Sequence, residues 1–336
     1  MIVDQSAARA RYAAAPAGAK SRAGLADYLR IARFDHATKH IFIVPGIVLA
    51  YVLRRPPVGE LAWTLAVGFL SAVLIASANY VINEWLDREF DSFHPEKSRR
   101  TAVRADLSPR IVYAQYALFV LAGLAAAAAV NRLFLWVSVI FWISGIVYNV
   151  SPLRSKDKPY IDVLSESLNN PIRLMLGWAM VDPSSIAPAS LLLAYWMGGA
   201  FLMGAKRLSE YREIVRSSGV DLLRRYRRSF GHYTEERLTV SCFVYAMMSA
   251  FMLSVFLVKY RVEYALAFPL FVALFAYYLS LSMRAGSVAQ KPEKLFHERS
   301  LMVLCLCIAG AMAGLTVVDV PQMAFVASPH FIDVAR

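Results

Sequence analysis

The chain has 336 residues, of which 58% are hydrophobic and 18% charged, with a mean hydropathy of +0.47. This composition excludes an ordinary soluble domain and reads as a polytopic membrane protein. In a soluble protein a net charge of +12 would point to nucleic acid. In a membrane protein it points first to cytoplasmic loops and then to an anionic substrate, so no nucleic-acid partner is expected.

In chain order, residues 1–27 read as a flexible basic tail, without the apolar stretch of a cleaved leader. Apolar runs follow near 40–53, 61–83, 111–130, 133–150, 162–181, 186–204, 238–258, 264–283 and 301–318, each taken as a crossing of about 30 Å of hydrocarbon. The first is short and extends back toward Tyr28 as an interfacial segment. The expected fold is therefore all-α and integral to the membrane, with nine transmembrane helices over 28–318 and a short extracytoplasmic tail over 319–336. Lys and Arg divide 29 to 6 between alternate loops, with Arg173 left inside a span. That asymmetry puts the N-terminus in the cytoplasm of a plasma-membrane protein. Cys242, Cys305 and Cys307 sit in apolar runs without metal spacing and read as packing residues. Oligomeric state is left open.

Three stretches carry charge where the helices leave the membrane. In "NYVINEWLDREFDSFHPEKSRR", residues 79–100, Asn79, Asn83, Asp87 and Asp91 recur every four residues, so neighbouring members share a helix face. Carboxylates so gathered repel unless a cation joins them. Hard oxygen ligands suit Mg2+, which binds through one or two carboxylates plus substrate phosphates. Asn83, Asp87 and Asp91 are the expected metal ligands, against the plainer reading of a solvated helix end. Pro95 turns the chain and brings Lys97, Arg99 and Arg100 back toward the metal, where a phosphate would meet both. The alternative for these cations is ordinary positive-inside anchoring.

In "YNVSPLRSKDKPYIDVLSESLNNPIRLMLGW", residues 148–178, Tyr148 ends a span, Arg154, Lys156 and Lys158 line a short loop, and Asp162 and Glu166 lie one turn apart. Asn169, Asn170 and Pro171 mark a break. Arg173 is deeper; an intramembrane charge is costly and faces a polar cavity or a partner, with Glu166 the structural candidate. In "GAKRLSEYREI", residues 204–214, Lys206 and Arg207 either pair with Glu210 along the helix or hold phosphate. "RRYRRSFGHYTEERL", residues 224–238, reads as a basic stretch lying on anionic lipid. Near the start, Arg33 and Lys39 suit a lipid phosphate, while His36 and His40 lack a third zinc ligand.

These motifs resemble those of the UbiA superfamily of intramembrane prenyltransferases, whose first acidic motif, N-D-x-x-D-x-x-x-D, is matched by "NEWLDREFD" at 83–91 with Glu84 in place of aspartate. The likeness runs from Arg33 to about Val318. Within the superfamily the chain is most similar to the branch of decaprenyl-phosphate phosphoribosyltransferases. "RFDHATKH", "HPEKSRRT", "KRLSE" and "RRSFGHYT" match that branch's motifs, as do Tyr148, Arg154, Asp162 and Arg173. Phe34, His36, His40, Arg154 and Thr101 depart from its usual residues and bear on substrate details. The second D-x-x-x-D of typical prenyl-diphosphate enzymes is absent from 205–237, where Lys206, Arg207 and Glu210 stand instead.

The resemblance implies nine helices around a cavity open to the cytoplasm. It implies Mg2+-dependent transfer of 5-phosphoribose from phosphoribosyl pyrophosphate to a polyprenyl phosphate, feeding a lipid-linked arabinose donor for glycan or cell-wall synthesis. Asp87, Asp91 and Asp162 would be catalytic. Arg33, Lys39, Asn79, Lys97, Arg100, Tyr148, Arg154, Arg173, Lys206, Arg207 and Glu210 would bind substrate. The alternative is prenyl transfer onto an aromatic acceptor. A transporter would need charge deep in several spans, whereas the buried candidates here lie toward one face.

Overall fold

The computed structural model describes residues 20–323 apart from 56–58, 60, 94–96, 220–222, 224–226, 285, 288, 290–294 and 296. His94 and Pro95, the expected turn, lie outside the described residues, as do 1–19 and 324–336. The end of the expected flexible tail, 20–27, is structured. Ser21–Arg22 (β1) pairs in parallel with Ala105–Asp106 (β2), and Leu25–Ile31 (α1) follows. Tyr28 ties this segment to the chain beyond residue 104: its hydroxyl accepts from the Ser108 N–H at 2.9 Å and its carbonyl from Gln115 Nε2 at 2.8 Å.

Beyond a 3-10 segment at Phe34–Ile43, the chain is helical over Val44–Arg54 (α2), Leu61–Asp91 (α3), Pro109–Val130 (α4), Arg132–Asn149 (α5), Ile161–Ser167 (α6), Asn169–Val181 (α7), Ala189–Ser218 (α8), Glu235–Tyr260 (α9), Phe268–Met283 (α10) and Arg299–Val317 (α11). Among the described residues six helical stretches are long and apolar enough to cross a membrane: α3, α4, α5, α9, Val262–Met283 and α11. The protein is thus an all-helical, multi-pass membrane protein.

The other three expected crossings differ for physical reasons. α2 has eleven residues. α8 has 30 residues and turns polar from Lys206 on. α6 and α7 part at Leu168, because Pro171 cannot donate to the Ser167 carbonyl four residues back and its ring crowds that oxygen. Large apolar side chains such as Leu118, Leu121, Phe243, Phe251 and Leu306 point outward, as contact with hydrocarbon rather than water requires.

The main core is built where α2, α3, α5 and α7 meet, around Ile75, Phe134, Phe141, Leu174 and Trp178. α2 and α7 approach closely through two glycines. A Cβ on Gly46 would stand 2.0 Å from the Leu174 carbonyl oxygen, and one on Gly177 would stand 2.1 Å from that of Ile43. Only residues without a Cβ permit this crossing, which brings Leu174, Gly177 and Trp178 of α7 against Ile43, Gly46 and Ile47 around the start of α2. Adding the methyl in Gly177→Ala forces the helices apart at about 1–3 kcal/mol. A lowered thermal midpoint in detergent is the expected result, while Gly310→Ala, with nothing within 4 Å, should leave it unchanged.

Candidate active site

α3 has 31 residues and so is about 46 Å long, well beyond the roughly 30 Å of hydrocarbon. The excess carries its polar end out of the apolar layer. Ala76, Asn79, Tyr80, Asn83, Asp87 and Asp91 all line one side of a cavity of about 620 Å³. Lys39, Phe141, Tyr148, Arg173, Lys206 and Arg207 close it from the other segments.

The two carboxylates of α3 are held by cations from the loops. Asp87 Oδ1 accepts from Arg154 Nη2 at 2.8 Å and lies 2.6 Å from Lys156 Nζ. Asp91 Oδ2 accepts from Arg100 Nη1 at 2.6 Å. Asn83 donates through Nδ2 to Asp87 Oδ2 at 3.3 Å and to Asn149 Oδ1; its Oδ1 takes no part in those bonds. Burial pushes the Lys156 ammonium down to about 8, although Asp87 opposes the shift. Arg154 sits at a left-handed backbone position, φ 23, and its side chain spans Asp87 and Asp157.

Among the described residues no three His, Cys, Asp or Glu side chains gather as a metal site, but the donor chemistry at the end of α3 is of the kind a divalent cation takes. Asn83, Asp87 and Asp91 offer hard oxygens from one helix face onto a polar cavity, and two carboxylates leave coordination sites for phosphate and water, as Mg2+ requires. Each carboxylate now satisfies its charge with Lys or Arg, which a metal–phosphate pair would replace.

A second network joins α6 and α8 to Arg227, Ser229 and Tyr233. Asp162 is fully buried and off the cavity lining. Its carboxylate accepts from the Tyr233 and Ser229 hydroxyls and pairs with Arg207 at 3.5 Å and Arg227 at 3.3 Å. Asp162, expected from sequence to be catalytic, has its oxygens shared among four donors of the protein and is not among the residues lining the cavity. Arg207 also binds Glu166 at 2.6 Å and Glu210 at 3.4 Å, so the pairing of Glu166 goes to Arg207 and not to Arg173. Tyr148 donates to Glu166 at 2.9 Å and accepts from Arg227 Nη2 at 3.0 Å.

Of the residues singled out from sequence, Arg33, Lys39, Asn79, Asn83, Asp87, Asp91, Lys97, Arg100, Tyr148, Arg173, Lys206, Arg207 and Glu210 line this one cavity. Arg154 acts through Asp87, and Asp162 through Arg207 and Arg227. Sequence reasoning missed Arg227. Its basic neighbourhood reads as a lipid-lying stretch, yet its side chain turns into the cavity; the uncompensated Asp162 was the signal that could have found it. It also missed Asn149, whose Oδ1 accepts from Lys156 Nζ at 2.8 Å as well as from Asn83.

Residues 41–304 match the UbiA prenyltransferase family. The chain belongs to that family. Among solved structures, a UbiA homolog from Archaeoglobus fulgidus bound to GPP and Mg2+ superposes with a TM-score of 0.63 at 22% identity, covering 87% of this chain and all of that one. A digeranylgeranylglyceryl phosphate synthase structure gives 0.58 at 12% identity, covering 87% of this chain and 96% of that one. Both likenesses concern the fold. The 4-hydroxybenzoate octaprenyltransferase of Aeromonas hydrophila is 29% identical over 125 residues, 37% of this chain and 43% of that protein. The digeranylgeranylglyceryl phosphate synthase of Archaeoglobus fulgidus is 29% identical over 99 residues, 30% of this chain and 32% of that one. The chain thus matches less than half the length of either relative. It is an enzyme of a transferase family, and its UbiA fold places the polar cavity among apolar helices.

Asp162→Asn keeps the shape of the buried network but removes the charge facing Arg207 and Arg227. Breaking such a pair on one side costs about 3–5 kcal/mol. A thermal melt in detergent should show a clear fall in midpoint, accompanied by lost turnover; an unchanged midpoint would contradict the positioning role.

Proposed function

We propose that this protein transfers 5-phosphoribose from phosphoribosyl pyrophosphate to a polyprenyl phosphate, as the decaprenyl-phosphate phosphoribosyltransferase branch of its family does. The observation that carries this reading is the charge of the cavity. Ten Lys and Arg line it against five Asp and Glu, and of those carboxylates Glu166 and Glu210 are paired with Arg207. A surplus of five positive charges suits more anion than one diphosphate. The acceptor phosphate and the 5-phosphate would each add about −1.5 to −2.

In this reading the domain over 28–318 crosses the membrane nine times, with N-terminus and cavity on the cytoplasmic side. Asn83, Asp87 and Asp91 would hold Mg2+, which when bound neutralises charge on the departing diphosphate. Lys97, Arg100, Lys206, Arg207 and Arg227 hold and orient substrate phosphates. Tyr148, anchored to Glu166, packs beside them. An oxygen of the lipid phosphate attacks C1 of the ribose, the bond from C1 to the diphosphate oxygen breaks with its electron pair, and pyrophosphate leaves. The acceptor is already anionic, so the chain needs no nucleophile or base of its own. Its contribution is positioning and fixed charge. The product would supply a lipid-linked pentose donor.

Prenyl transfer onto an aromatic acceptor is the second reading, favoured by the match to the octaprenyltransferase. Purified protein given labelled phosphoribosyl pyrophosphate, a polyprenyl phosphate and Mg2+ should move the label into the organic phase. Label confined to the aqueous phase, with prenyl diphosphate and hydroxybenzoate consumed instead, would replace the first reading by the second. Chelation of divalent ions should abolish turnover, and Asp87→Asn should lower it by about a hundredfold or more.

A further inference from the structure

The cations of the cavity fall into two groups. Toward the end of α3, Arg100, Lys156, Arg207 and Arg227 each pair with a carboxylate within 4 Å, Lys97 lies 3.9 Å from Glu210, and Arg33, Arg99 and Lys206 also line the cavity. Two helical turns deeper the pattern changes. Arg173 is 8% exposed, and its guanidinium stands over the Phe141 ring at 5.2 Å. Its Nε has no hydrogen-bond partner among the described residues. Lys39 Nζ stands 5.3 Å from the centroid of the Tyr80 ring, and the Tyr80 hydroxyl interacts with both Lys39 and Arg173. Asn79, one residue away, is likewise left with an unpartnered buried Oδ1. Among the described residues neither Lys39 nor Arg173 has a carboxylate within 4 Å.

A buried guanidinium without a counterion is costly inside a membrane protein. The cost falls when an anion from outside supplies the missing charge and accepts the free N–H. The lining at this depth includes Ala76, Phe42 and Phe141 beside the polar groups, so the anion best suited carries an apolar body. Tyr80 and Asp87 are seven residues apart on α3, about 10 Å along its axis. That leaves room for a sugar ring between an anion at Arg173 and a diphosphate at the carboxylates.

We infer that Lys39 and Arg173, with Tyr80 between them, form a separate subsite for the phosphate head of the lipid acceptor, while the paired cations at the end of α3 serve the phosphoribosyl donor. The assignment rests on the phosphoribosyl reading for the identity of the acceptor. The juxtaposition itself requires only an anion with an apolar tail.

The test is equilibrium binding to the full chain in detergent, with farnesyl monophosphate, inorganic phosphate and phosphoribosyl pyrophosphate plus Mg2+ as separate probes. Arg173→Gln and Lys39→Gln should each weaken farnesyl monophosphate by about tenfold or more, while donor affinity stays within about threefold. Arg100→Gln should do the reverse. Arg173→Lys, which keeps the charge but not the planar fork, should restore part of the binding. If Arg173→Gln does not fold, Lys39→Gln carries the comparison. Donor and lipid probes weakened alike by Arg173→Gln and Lys39→Gln would overturn the subsite, as would neither being weakened. Inorganic phosphate bound as tightly as farnesyl monophosphate would overturn its assignment to a lipid. Wild-type protein that binds farnesyl monophosphate through Arg173 but ignores phosphoribosyl pyrophosphate would keep the subsite and sink the proposed reaction instead.

Discussion

Two carboxylates one helical turn apart, Asp87 and Asp91, must keep their charge at the end of a helix that emerges from the apolar layer. Their mutual repulsion has to be offset, and the fold offsets it with cations from two loops: Arg100 on Asp91, and Arg154 and Lys156 on Asp87. Much of the rest follows from that constraint. α3 has to run unbroken for 31 residues to put both carboxylates on the cavity side. The short loop at 150–160 has to fold back under α5. Asn83 donates to Asp87, and Asn149 accepts from both Asn83 and Lys156. Such ion pairs are poor sources of stability once desolvation is counted. In the proposed reaction their value lies in being exchangeable for a metal and phosphate of similar charge.

The second buried network does different work. Asp162 is enclosed by Tyr233, Ser229, Arg207 and Arg227, so the segment after α8 is fastened to α6. This fastening aims Arg227 into the cavity and fixes Arg207 between Glu166 and Glu210. A carboxylate off the lining thereby determines where two lining guanidiniums point. Within the cavity Lys97, Arg100, Lys156, Arg207 and Arg227 pair with carboxylates of the protein, and the deep pair at Lys39 and Arg173 does not.

Much of the fold was legible in the sequence because hydrocarbon imposes a simple rule. Apolar runs long enough to span become helices, and the break before Pro171 follows from the chemistry of proline. The four-residue spacing of Asn79, Asn83, Asp87 and Asp91 likewise forecast a shared face, since helical geometry is local. Three-dimensional closure was not legible. Nothing local distinguishes Arg227 from its basic neighbours, and nothing in the spacing of Asp162 and Glu166 says that one is buried off the cavity while the other lines it. The pairing of Ser21–Arg22 with Ala105–Asp106 joins segments more than eighty residues apart, beyond the reach of any periodicity. The reciprocal glycines at 46 and 177 carry meaning only once α2 and α7 are known to cross.

What replaces the loop cations at the end of α3 decides the proposed chemistry. Anomalous diffraction from crystals grown with Mn2+ and phosphoribosyl pyrophosphate addresses it directly. The predicted result is a manganese peak bonded to side-chain oxygens of Asn83, Asp87 and Asp91, with Arg100 and Lys156 moved onto phosphate. A peak bonded elsewhere, or undisturbed ion pairs at saturating metal and donor, would contradict it.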